Sequence, residues 1–160
     1  MKDIFFLKYT LMAFGVILLT VLFFTYRDSP KRNLQIPSAI SIQGQTFSLE
    51  YANTAEKRRK GLGERDNLCE MCAMLFIFDE PGHYAFWMGG MRFPLDIIWL
   101  LDNRVVSIER NIAPESQEIF APNGEADRVL EINGGVGGNI RTGDTVDNIY
   151  VKPSDNAEQL

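Results

Sequence analysis

Two carboxylates stand in apolar surroundings: Asp96 in the run Leu95–Leu101 (LDIIWLL), and Glu131 between Leu130 and Ile132. A carboxylate in such a place must face solvent, find a donor or change its pKa. Arg65, in a loop or turn, is the cation that would pair with Asp96. Trp87 and Met88 close an aromatic stretch, Tyr84–Met88. If Asp96 and Glu131 faced one concavity with Trp87 as its floor, the site would suit a sugar or a peptide. Two carboxylates flanking a Trp would also suit glycoside hydrolysis. The plainer reading makes Asp96–Arg65 a structural ion pair, turns Glu131 outward by strand alternation and puts Trp87 in the core. The ligand-binding set expected from the sequence is Arg65, Trp87, Met88, Asp96 and Glu131, with no residue assigned to catalysis.

Cys69-Glu70-Met71-Cys72 has the spacing of redox dithiols and of half a zinc site. A reactive thiol of the first kind sits at a helix N-terminus, where the dipole lowers its pKa. Here Ala73–Phe78 follows and reads as a strand, so the expectation is a small structural disulfide, Cys69–Cys72. Thiol–disulfide chemistry through Cys69 and Cys72 is one enzymatic alternative, and carboxylate-based hydrolysis through Asp96 and Glu131 is the other. A zinc site would need His83 and a carboxylate, or a second chain, and neither a metal nor a cofactor is expected. His83, in Glu80-Pro81-Gly82-His83, reads as a solvated turn residue. Lys57–Lys60 spreads four cations round a short helix, a solvated face. The glycines of 134–138 lack Gly-Lys-Ser/Thr and read as a mobile loop, not a phosphate loop.

These residues need elements to hold them. Ala39–Ile42 and Gln45–Tyr51 alternate apolar and polar residues around Gln43-Gly44, a hairpin pattern. Phe47, Leu49 and Tyr51 then share a face. Asn53 with Glu56 suggests a capping box opening a short helix that Gly61 and Gly63 stop. Strands are expected at Met74–Phe78, Tyr84–Met88, Leu95–Leu101, Arg104–Glu109, Arg128–Ile132 and Thr145–Val151, with Asp102-Asn103 as a second hairpin turn. Seven or eight short strands predict a mainly β, sandwich- or barrel-like domain with one short helix.

The 160 residues allow a single domain, and 46 % apolar content excludes a disordered chain. With 16 basic and 21 acidic residues the net charge is −5, which argues against a nucleic-acid partner. Residues 9–26 hold no charge, enough for a helix of about 27 Å, the reach of a bilayer core. No small-x-small cleavage site follows it, so a transmembrane signal anchor is expected there, contacting lipid and leaving the domain extracytoplasmic. The expected plan is a flank (1–8), the anchor (9–26), a linker (27–38), the β domain (39–153) and a flexible tail (154–160). The expected role is a ligand-binding or protein-interaction module at the cell envelope, for a small molecule, a glycan or an envelope protein.

Several motifs occur in a specific order: Gly61-Leu62 and Arg65 after a basic helix, Met74–Phe78, Phe86-Trp87-Met88, Pro94–Ile98, Leu130-Glu131 and Gly143-Asp144. Over Ser41–Val151 the chain resembles the domain of unknown function family 192, an uncharacterised prokaryotic family. The resemblance implies a compact, mainly β domain behind an N-terminal signal or anchor, and no reaction. The chain differs from the family pattern at Gly63, where Met is usual. It differs also at Gly89-Gly90-Met91, where Lys-Asn-Thr is common, and in the glycines of 133–141.

Overall fold

The computed structural model describes residues 37–148. The expected anchor (9–26) and tail (154–160) lie outside the described residues, and among these no helix is long and apolar enough to cross a membrane. The elements run β1 (Ala39–Ile42), β2 (Gln45–Ala52), α1 (Ala55–Lys60), β3 (Cys72–Gly82), β4 (Phe86–Trp87), β5 (Leu95–Leu101), β6 (Arg104–Ile112), β7 (Ile119–Phe120), β8 (Ala126–Asn133) and β9 (Val146–Asp147). Both expected hairpin turns form. Gln43-Gly44 (φ 49° and 76°) and Asp102-Asn103 (φ 47° and 67°) take the left-handed backbone that two-residue turns between twisted strands require.

Seven strands make one sheet in the order β6-β5-β8-β3-β2-β1-β9, and β4 and β7 pair separately as a small ribbon. All pairings are antiparallel except β2–β3, whose parallel register needs a crossover, and α1 lies in that crossover. Arg104 bridges Thr145, and Val146 N–H donates to Asn103 O at 2.8 Å. The far edge of the sheet thereby returns toward β6, and the sheet curls into a half-barrel. The sandwich or barrel expected from strand spacing is therefore a single curled sheet with little helix.

Each face of the sheet carries its own core. Along β5 the side chains alternate: Ile98 and Leu100 join Phe47, Leu75, Leu130 and Ile132 inside the curl. Leu95, Ile97 and Trp99 join Met74, Phe76 and Val129 on the other face. A strand buried on both faces reads as an unbroken apolar run, which is what LDIIWLL is. Phe47 lies in the inner core with Leu49 and Tyr51 packed against it, the shared face the alternation predicts.

α1 is capped by Thr54, whose Oγ1 accepts from Lys57 N at 3.2 Å, one residue later than the Asn53 cap expected from the capping-box pattern. Gly61 ends it at φ 52°. One of its four cations is not simply solvated. Arg58 donates to Asn53 O and Ile77 O and lies 5.3 Å from the Phe78 ring centroid, fastening the helix to β3. Arg59 and Lys60 stay exposed.

Candidate functional site

The structure separates the two carboxylates. In the β5–β8 register Asp96 is opposite Ile132 and Ile97 is opposite Glu131, so Asp96 and Glu131 point to opposite faces of the sheet. They do not share a concavity, and the paired-carboxylate hydrolase has no geometry here.

Asp96 is fully buried on the inner face. β6 bulges opposite it, with Leu95 paired to Ile112 and Ile97 to Glu109. The bulge turns Asn111 N–H (φ 46°) onto Asp96 Oδ1 at 2.7 Å. Gly135 N–H reaches the same oxygen at 2.8 Å, and Gly137 N–H reaches Oδ2 at 2.9 Å. Arg110 holds the loop from its carbonyl side, donating to Gly137 O and Ile140 O. The glycine-rich loop is thus pinned from both sides, not mobile, and Ile140 is buried beneath it. Glycine is needed at 137 because a Cβ there would stand 2.9 Å from Asp96 Oδ2. The expected Asp96–Arg65 pair does not form. Asp96 satisfies its charge with backbone donors, and Arg65 instead makes two 2.8 Å bonds to Glu50, whose pKa it lowers.

Glu131 lies on the outer face with 6 % of its surface exposed, among Met74, Phe76 and Ile97. Its Oε2 is buried and has no hydrogen-bond partner. Burial pushes its pKa up to about 8, against the opposing pull of the Arg65 charge. At neutral pH the group is therefore a carboxylic acid, able to donate and to accept.

Two clefts flank the turn that ends α1. One, of about 540 Å³, lies among Glu50, Tyr51, Lys57, Glu64 and Arg65, where charges of both signs alternate. The other, of about 320 Å³, is bounded by Arg59 and Lys60, by Phe76 and Phe86, by Trp87, and by Glu131. Gly61 borders both. A Cβ there would stand 3.4 Å from Phe76 Cζ and 3.9 Å from Glu131 Oε2, so the turn passes close to both.

Trp87 is 69 % exposed and pairs across the β4–β7 ribbon with Ile119, itself 76 % exposed. It is a wall of the cleft and not a core residue. Its indole lies flat over Gly89, where a Cβ would meet three ring carbons at 2.5–2.7 Å. Met88 faces the other way by alternation and is buried in the outer core, and it lines neither of these two clefts.

Of the five residues expected at the site, Trp87 and Glu131 meet in one cleft, Arg65 borders the adjacent one, and Met88 and Asp96 do neither. The residues missed are Gly61, Phe76, Phe86, Arg59 and Lys60. Phe76 and Glu131 share a sheet face through the β3–β8 pairing, a relation between distant segments that no local pattern carries. Cys69 and Cys72 are disulfide-bonded, and Cys72 opens β3 instead of a helix, so no helix dipole favours a thiolate. His83 is exposed, and among the described residues no three His, Cys, Asp or Glu side chains gather as a metal site.

Fold and site thus define a half-barrel domain with an aromatic cleft over a buried neutral acid. The profile of the domain of unknown function family 192, described as "Uncharacterized ACR", matches residues 38–148, and the chain belongs to that family. It is similar to the solved structure of a protein of unknown function from Novosphingobium aromaticivorans DSM 12444. The two are 35 % identical with a TM-score of 0.66, over 74 % of this chain and 89 % of that one. It is also similar to a putative transcription regulator from Sinorhizobium meliloti 1021, at 26 % identity and a TM-score of 0.64, over 68 % and 91 % of the two chains. No match was found among curated proteins.

Proposed function

We propose that the domain is a binding module and that the cleft between α1 and the β4–β7 ribbon takes a small molecule with a flat or ring-shaped part. The observation that carries this reading is Glu131: a buried acid whose Oε2 has no partner, beside an open aromatic cleft. An unpartnered buried oxygen costs folding free energy, on the order of 1–3 kcal/mol, that a ligand hydroxyl or amide would recover. The exposed Trp87 face supplies the stacking surface, and about 320 Å³ is the lower end of the usual pocket range. A role of the kind in the Sinorhizobium protein's name is not proposed, because 11 basic residues stand against 19 acidic ones after Arg32.

The test is a ligand-observed NMR screen of monosaccharides, dipeptides and aromatic fragments, with hits followed on the Trp87 indole. Trp87→Ala should abolish binding of a hit while shifting stability by no more than about 0.5 kcal/mol, the usual scale for an exposed position. Gly89→Ala should weaken binding too, because the added methyl drives the indole from its resting place. Hits that bind both variants unchanged would overturn the reading.

The module is further proposed to be held at the outer face of the membrane by residues 9–26. The uncharged run and the Cys69–Cys72 disulfide, which an oxidising compartment preserves, support this. A membrane-impermeant maleimide on intact cells should add to Cys69 and Cys72 only after reduction, read by mass. Labelling that needs lysis but no reductant would put the domain on the other side.

A further inference from the structure

The charges around the cleft are the reverse of those of the domain. Four of the 11 basic residues after Arg32 are the consecutive Lys57–Lys60 on α1, and three of these, Arg58, Arg59 and Lys60, border the cleft. Arg58 is committed to Asn53 O, Ile77 O and the Phe78 ring. Arg59 and Lys60 are exposed and make no ion pair within the described residues. Glu131 is the one acidic residue among those that border the cleft. Lys60 also borders the neighbouring cleft, where Glu50 and Glu64 stand beside the cations and Glu50 already pairs with Arg65.

We infer that the ligand is a small organic anion, its ring against Trp87 and Phe86, its carboxylate or phosphate met by Arg59 and Lys60, and a further oxygen bonded to the Glu131 carboxyl. The inference rests on the cleft being a binding site. It adds the charge and layout of the occupant. A positive rim in an acidic domain raises the local concentration of anions and repels cations. Charge-assisted bonds from two free cations discriminate more sharply than neutral ones. A Glu131 that stays protonated at neutral pH adds no negative charge to oppose the ligand and offers it an O–H. A cationic ligand would have to pass Arg59 and Lys60 to reach an acid that is not ionised.

The probes are 2-naphthoate, 1-naphthyl phosphate and the neutral 2-naphthamide, titrated calorimetrically at pH 7. They are added to the full-length chain in phosphatidylcholine nanodiscs, with empty discs as blank. At least one anion should bind on the order of tenfold more tightly than the amide, the scale of one charge-assisted bond. The tighter of the two anions tells carboxylate from phosphate. Arg59→Gln/Lys60→Gln should erase that preference, read as the ratio of anion to amide affinity in the same variant. Arg141→Gln, which removes a charge remote from the cleft lining, should leave the preference intact. An anion preference that survives the double variant, or disappears with Arg141→Gln, overturns the inference. So does amide binding as tight as that of the anions. If that amide binding is lost in Trp87→Ala, the cleft remains a binding site for neutral rings. Absence of binding by all three probes at millimolar concentration overturns both the inference and the binding role of the cleft.

Discussion

Asp96→Ala should lower folding stability by roughly 3–5 kcal/mol, the largest loss expected from a single polar residue here, because it leaves several buried donors unsatisfied at once. Asn111, Gly135 and Gly137 all direct their N–H groups at this carboxylate, and all three lose their acceptor together. The loop they hold covers Ile140 and sits over the inner core, so water enters where the carboxylate stood. Arg110 alone would keep the carbonyl side of the loop. Asp96→Asn retains one carbonyl oxygen but brings an NH2 toward N–H donors, and its loss should fall between alanine and wild type. Urea unfolding of the three proteins checks the order, and hydrogen exchange should show Gly135 and Gly137 opening first. A loss under 1 kcal/mol in Asp96→Ala would mean that the loop is held by packing and not by the carboxylate.

Much of the scaffold is legible in the chain because hairpin turns and strand alternation are local. Gln43-Gly44 and Asp102-Asn103 carry the turn residues that left-handed backbone demands, and the flanking strands follow. The unbroken LDIIWLL correctly reads as a strand, but it conceals that alternate side chains enter two different cores. That fact decides the fate of Asp96. Counting from Leu95 places Asp96 on the face of Ile98. Only the pairing with β8, some 35 residues on, shows that Glu131 lies on the face of Ile97. The β6 bulge that supplies Asn111 N–H and the glycine loop that supplies two more donors are equally non-local. The charge complement nearest in residue type, Arg65, was therefore the wrong partner for Asp96. The alternative that puts Trp87 in the core fails for a related reason. Tyr84–Met88 forms only a two-residue strand, outside the main sheet, so its aromatic content does not measure burial. Gly89 enters the sequence reading only as a departure from the family pattern, and the structure shows the Trp87 indole lying on it.

Stability should fall as pH rises from 4.5 to about 8, and Glu131 should be the chief cause. An unfolded chain ionises this group near its ordinary value of 4.5, whereas burial holds it protonated in the fold up to about 8. Between those values the unfolded state binds fewer protons than the folded one, so each pH unit shifts the balance toward unfolding. Below 4.5 both states are protonated and the full stability is present. Above about 8 both are ionised and the loss is complete. At about 1.4 kcal/mol per pH unit the interval amounts to about 5 kcal/mol, an upper figure for a site that admits water when strained. Asp127, also raised by burial, acts in the same sense, while Glu50, lowered by Arg65, acts in the opposite sense as pH falls below the interval. Glu131→Gln separates these contributions, since it keeps the shape and removes the titration. Its stability should fall much less steeply from pH 5 to 8, keeping only the Asp127 part, and lie equal to or below wild type at pH 5 and above it at pH 8. Urea midpoints at the two pH values give the comparison directly. Equal slopes in the two proteins would mean that Glu131 is ionised in the fold and that its Oε2 has found a partner. The case for a neutral acid beneath Gly61, ready to donate to a ligand, would then be lost.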